Sequence, residues 1–122
     1  MPADKGKMKD TIEALASTGM PKGIARTLAY LSSRKDWATS KDIEKATRLR
    51  QPEVSIAVRD LEERGWVERD SLKRESKGRP INIYKMSVKL DKVYTTIETD
   101  EKAKIGVLED NLQLIRELWS VS

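Results

Sequence analysis

Residues 38–66 constrain this chain more than any other stretch. Two short runs of helical periodicity lie there, separated by a few residues. The first, residues 41–47, offers Ile43 and Ala46 to an interior. The second opens on Gln51-Pro52 and closes at Gly65. It places Val54, Val58 and Leu61 at i, i+4 and i+7 with Ala57 beside them, which is the buried stripe of an amphipathic helix. Thr39 or Ser40 can cap the first helix through its hydroxyl. Pro52 suits the first turn of the second, where its missing N–H would have no partner anyway. Leu49 lies between the helices as an expected core plug. The turn contains no glycine, so the pattern does not say which residue takes a left-handed conformation there. Two helices at a tight turn form a helix-turn-helix, whose second helix enters the major groove of DNA.

The flanks extend this reading. Met8, Ile12 and Leu15 predict a short helix over residues 8–18, with Gly19 as its stop. Pro21 then starts a second helix over residues 22–33, with Ile24, Ala25, Leu28 and Leu31 on one face. Beyond Gly65, residues 66–72 and 81–86 read as extended segments around a polar loop, residues 73–80, with Gly78 and Pro80 in it. This is a hairpin pattern. Ile81, Ile83 and Lys85 share one of its faces, Tyr84 and Met86 the other. Trp37-Ala38-Thr39 stands where a short strand often pairs with such a hairpin. From about Leu90 the chain returns to helix. Ile105, Leu108, Leu112, Ile115 and Trp119 follow the 3-4 spacing of a coiled-coil seam. Leu90, Val93 and Ile97 fall out of that register, and Thr95-Thr96 and Thr99-Asp100 are weak helix formers, so a kink or break is expected near Thr99. The fold class is mainly α with a small β-hairpin. Residues 1–88 form a winged helix-turn-helix and residues 89–122 a C-terminal helical dimerisation segment.

Composition narrows the chemistry. The 122 residues contain no Cys and no His, which excludes disulfides, Cys/His zinc sites and Ser-His or Cys-His nucleophiles. No catalytic residue, metal ligand or cofactor is expected, and the chain is not expected to be an enzyme. No apolar run approaches the ~20 residues a bilayer span needs, so no membrane association is expected and the default location is the cytoplasm. Net charge is +4, and it is unevenly spread: residues 69–85 hold six basic side chains against two acidic ones. A basic centre beside a helix-turn-helix fits a polyanionic partner, double-stranded DNA.

Candidate contacts follow from the helix face. With Val54, Val58 and Leu61 turned inward, Gln51, Pro52, Glu53, Ser55, Ile56 and Arg59 lie outward or on the flank. Gln can bond adenine in a bidentate way, Ser a base edge or phosphate, and Arg59 guanine or phosphate, while Ile56 can touch a thymine methyl. Lys73, Arg74, Lys77 and Arg79 on the hairpin tip can reach phosphates or the minor groove. The seam of Ile105, Leu108, Leu112, Ile115 and Trp119 would be covered by a second copy of the chain. Such a homodimer places two recognition helices ~34–36 Å apart, matching a palindromic site.

The stretch Ala38-Thr-Ser-Lys-Asp-Ile43, the run Gln51-Pro-Glu-Val-Ser-Ile-Ala-Val-Arg-Asp-Leu-Glu-Glu-Arg-Gly-Trp-Val67 and the tip Lys77-Gly-Arg-Pro80 before Ile83-Tyr84 resemble winged helix-turn-helix transcription regulators. The likeness is to the MarR-, ArsR- and TrmB-like domains, small archaeal ones especially, over about residues 21–88. It implies a dimeric repressor or activator with residues 51–64 in the major groove and the wing, residues 73–80, on the backbone or minor groove. Metal- and redox-sensing members use Cys and His, which this chain lacks. Any effector would then be an unidentified small molecule. Members of the class often carry Arg or Lys where Ile56 stands. The alternative is a winged-helix protein-interaction module that uses its C-terminal helix to hold a partner.

Overall fold

A computed structural model describes residues 5–72, 78 and 80–120. The chain divides into two compact units, Met1–Lys89 and Leu90–Ser122. In the first, helices α1 (Lys5–Ser17) and α2 (Lys22–Ser32) lead through β1 (Ala38–Thr39) into α3 (Ser40–Thr47) and α4 (Gln51–Glu63), and strands β2 (Val67–Leu72) and β3 (Ile81–Met86) follow. The second unit is one helix, α5 (Leu90–Ser120).

The core of the first unit forms where the helical stripes meet. α2 buries Ile24, Ala25, Thr27, Leu28, Ala29 and Leu31, and α4 buries Val54, Ala57, Val58 and Leu61. Ile43, Leu49, Trp66, Val67 and Tyr84 complete it, so Leu49 does plug the core from the turn. Thr27 is fully buried and still satisfied, because its hydroxyl donates to the Gly23 carbonyl at 2.9 Å. The three strands form an antiparallel sheet in the order β1-β3-β2. Ala38 stands opposite Tyr84, and Val67 opposite Met86. Tyr84 is the buried residue of β3, while Ile81, Ile83, Lys85 and Met86 are half-buried. Ser87 closes the base of the hairpin, its amide donating to the Trp66 carbonyl at 2.9 Å and its hydroxyl to the Gly65 carbonyl at 3.1 Å.

Local chemistry sets the entry to the motif. Thr39 caps α3 reciprocally: its hydroxyl accepts from the Asp42 amide at 3.1 Å, and its own amide donates to Asp42 Oδ2 at 3.0 Å. That amide bond is the main reason the Asp42 carboxyl lies below its ordinary 3.8. Burial, the next largest effect, pushes it up, and the Thr39 hydroxyl, Arg34 and Lys45 each add smaller downward effects. Arg34 ties the preceding loop down. It donates to the Trp37 carbonyl from Nε at 3.2 Å and Nη2 at 2.9 Å, and to the Tyr30 hydroxyl from Nη1 at 2.7 Å.

Two expectations need correction. Ala46 is exposed, and Thr47 is the inward residue of the last turn of α3. Burial of Thr47 is tolerated because its hydroxyl donates to the Ile43 carbonyl at 2.7 Å and accepts the Leu49 amide at 3.3 Å. No break occurs near Thr99 either: α5 runs unbroken for 31 residues. The hydroxyls of Thr95, Thr96 and Thr99 each bond back to the carbonyl four residues earlier, so these side chains stay within the helix rather than competing with it. Glu98 with Lys102 and Glu101 with Lys104 bridge the same stretch.

Candidate nucleic-acid interface

α4 is presented by the turn before it. That turn needs one residue in the left-handed region, and Arg48 takes it at φ 62°. Its amide still donates to the Glu44 carbonyl at 2.8 Å and terminates α3. A non-glycine residue there carries a conformational cost of about 1 kcal/mol. The burial of Leu49 and the Leu49–Thr47 bond hold the chain in that shape. Because Leu49 points inward, its neighbours Arg48 and Arg50 are both exposed. α4 then starts with the Arg50 amide donating to Glu53 Oε1 at 3.0 Å. Its far end stops at Gly65 (φ 80°), which is followed by a bond from the Trp66 amide to the Leu61 carbonyl at 3.1 Å.

Gln51, Pro52, Glu53, Ser55, Ile56 and Arg59 are all exposed, so one surface of α4 gathers every residue proposed from sequence for the recognition helix. Within it, Gln51 Nε2 donates to Ser55 Oγ at 2.9 Å, and Ile56 is 65% exposed. Glu53 differs from the rest, since one of its oxygens is committed to the helix start.

The structure adds cations that the sequence reading did not select. Lys41 and Lys45 lie one helical turn apart on the exposed side of α3, and Arg48 and Arg50 stand in the turn. Among the described residues, none of these four, nor Arg59, is in an ion pair. Arg64 and Arg69 are instead held by Asp60 at 2.7 Å and Glu62 at 3.4 Å. The signal that would have found Arg48 and Arg50 is their alternation about Leu49, an apolar residue that must point inward. Lys73, Arg74, Lys77 and Arg79 lie outside the described residues. Of the loop, Gly78 and Pro80 are described and exposed.

On α5, Ile105, Leu108, Leu112, Ile115 and Trp119 are all exposed, and so are Val107, Leu114 and Leu118. The apolar surface is therefore broader than the seam read from sequence. Among the described residues no His/Cys/Asp/Glu group is arranged to hold a metal ion, and no helix is long and apolar enough to cross a membrane.

A helix-turn-helix followed by a β-hairpin, with a short strand before it completing the sheet, defines a winged-helix protein. Residues 18–76 match the family model described as MarR family. A possible transcriptional regulator from Methanosarcina mazei Go1 superposes with a TM-score of 0.66 at 18% identity, covering 88% of this chain and 87% of that one. A variant of MepR from Staphylococcus aureus gives 0.51 at 25% identity over 96% and 88% of the two chains. Another MepR variant, bound to an oligodeoxyribonucleotide, gives 0.53 at 22% identity over 96% and 88%. No curated protein matches the sequence.

Proposed function

We propose that this protein is a sequence-specific transcription regulator that binds double-stranded DNA as a homodimer in the cytoplasm and has no enzymatic activity. α4 enters the major groove. Gln51, Pro52, Ser55, Ile56 and Arg59 face the bases and adjoining backbone, and Glu53 sets the start of the helix. The basic wing, residues 73–80, meets the backbone or minor groove. A second copy covers α5 along Ile105, Leu108, Leu112, Ile115 and Trp119.

The observation that carries this reading is a set of exposed cations on α3, the turn and α4, Lys41, Lys45, Arg48, Arg50 and Arg59, none of them in an ion pair among the described residues. Cations on the helix-turn-helix that no protein carboxylate neutralises suit DNA phosphates beside a helix lodged in the major groove. The oligodeoxyribonucleotide held by a MepR variant of the same fold supports it. Selection of bound duplexes from a random pool tests it. The expected product is a palindromic motif with half-sites one DNA turn apart. A pool that shows no enrichment rejects the reading.

A second reading, a protein-interaction module working through α5, draws on the breadth of that helix's exposed apolar surface. It predicts no duplex binding at moderate salt and a monomer that captures a different protein along α5.

A further inference from the structure

The outward side chains on the first two turns of α4 include no cation. Gln51, Pro52, Ser55 and Ile56 stand there, and Arg59 follows almost a turn later. These turns matter most, because the N-terminal residues of a recognition helix are the ones that contact base edges. Guanine is read most often by Arg or Lys bonding O6 and N7 together. No such side chain is present on these turns. Cytosine offers a donor that calls for a carboxylate, and the carboxylate on these turns, Glu53, has one of its two oxygens held at the helix start by the Arg50 amide at 3.0 Å.

Adenine and thymine are the better match, and the face is equipped for both. Gln51 Nε2 donates to Ser55 Oγ at 2.9 Å. That bond uses one of the amide's two N–H groups and fixes the amide on the outer face. The second N–H and the carbonyl oxygen match the N7 acceptor and N6 donor of adenine. Ile56 is 65% exposed on the same surface. A single exposed isoleucine says little on its own, since lone apolar residues are common on surfaces. Its weight comes from its position among groove-facing polar residues, because thymine alone among the bases presents a methyl group in the major groove.

We propose that the first two turns of α4 read A·T pairs, with Ile56 packing on a thymine 5-methyl group and Gln51 bonding an adenine edge. The proposal rests on α4 entering the major groove, and its test separates the two claims. Duplexes recovered by the full chain from a random pool are resynthesised with each thymine in turn replaced by deoxyuridine, which removes only the methyl. In a second series each adenine is replaced by 7-deazaadenine, which removes the N7 acceptor. Binding is measured for the parent, Ile56→Ala and Gln51→Ala. Both positions are exposed and alanine favours helix, so both variants keep the fold, as circular dichroism would show.

At one thymine per half-site the parent loses about fourfold in affinity on deoxyuridine substitution, the equivalent of one buried methyl. Ile56→Ala loses nothing further at that position. At one adenine the parent loses about fivefold or more, and Gln51→Ala is indifferent. Equal losses in parent and variants at every position overturn the proposal while leaving duplex binding intact. Failure of the parent to enrich any sequence overturns the regulator reading and this one with it.

Discussion

α4 and α5 both expose large apolar side chains, yet they differ in kind. α4 is 13 residues long and buries four of them in the core of the first unit, with Ile56 the one large apolar residue on its outer face. α5 is 31 residues long, buries only Val93, and exposes apolar residues along much of its length. A helix that already belongs to a core, and carries mostly polar groups outside, is a rigid tool for a polar partner. A helix whose apolar face is exposed needs a partner of matching chemistry, and the homodimer proposed above would supply it with a second copy of the same helix. Stability is therefore expected to sit in the first helix and assembly in the second.

Substitutions at matched leucines test that division with the largest effects. Leu61 on α4 is fully buried, so Leu61→Ala should cost about 2–5 kcal/mol in chemical unfolding, from lost burial and the cavity left behind. Leu112 on α5 is 60% exposed, and Leu112→Glu should leave circular dichroism of the first unit unchanged. The same variant should convert a dimer to a monomer in light scattering. It should also lower affinity for a palindromic duplex by about a hundredfold or more, because the second half-site is no longer tethered. If Leu112→Glu scatters as the parent does, the contrast fails.

Smaller effects sharpen the description of the turn that presents α4. Arg48→Gly should raise stability by up to about 1 kcal/mol by relieving the left-handed strain, yet weaken duplex binding by removing a cation. Opposite signs in the two measurements mark a residue kept for its charge. The smallest effect is at the Thr39–Asp42 cap. The Asp42 carboxyl is depressed in the folded protein, so its contribution is fully present above 3.8 and is lost as pH falls through the lower folded value. Asp42→Asn should remove that acid-side decline, and pH-dependent unfolding of parent and variant would show it.

The division was partly visible in the sequence. Val54, Val58 and Leu61 were legible because periodicity near 3.6 residues fixes which side of a helix faces the core. The exposed surface with Gln51, Ser55, Ile56 and Arg59 followed by geometry alone. Arg48 was not legible as the left-handed residue. Its conformation is imposed by the burial of Leu49 and the bonding of Thr47, which are tertiary effects. Thr47, not Ala46, is the inward residue of α3, because a hydroxyl satisfied within its own turn can be buried. α5 runs unbroken through Thr95, Thr96 and Thr99 because propensities are averages, and here the three hydroxyls bond back into the helix. The apolar surface on α5 is wider than the seam, because Val107, Leu114 and Leu118 are exposed beside it.

The central claim is that the cations around α4 meet DNA phosphates. Salt dependence of duplex binding tests it most directly, comparing the parent with a Lys41→Ala, Lys45→Ala, Arg50→Ala, Arg59→Ala variant of the full chain. The account predicts steep weakening with salt for the parent and a log–log slope smaller by about 0.9 for each cation that had met a phosphate. A variant with the affinity and salt slope of the parent would contradict it.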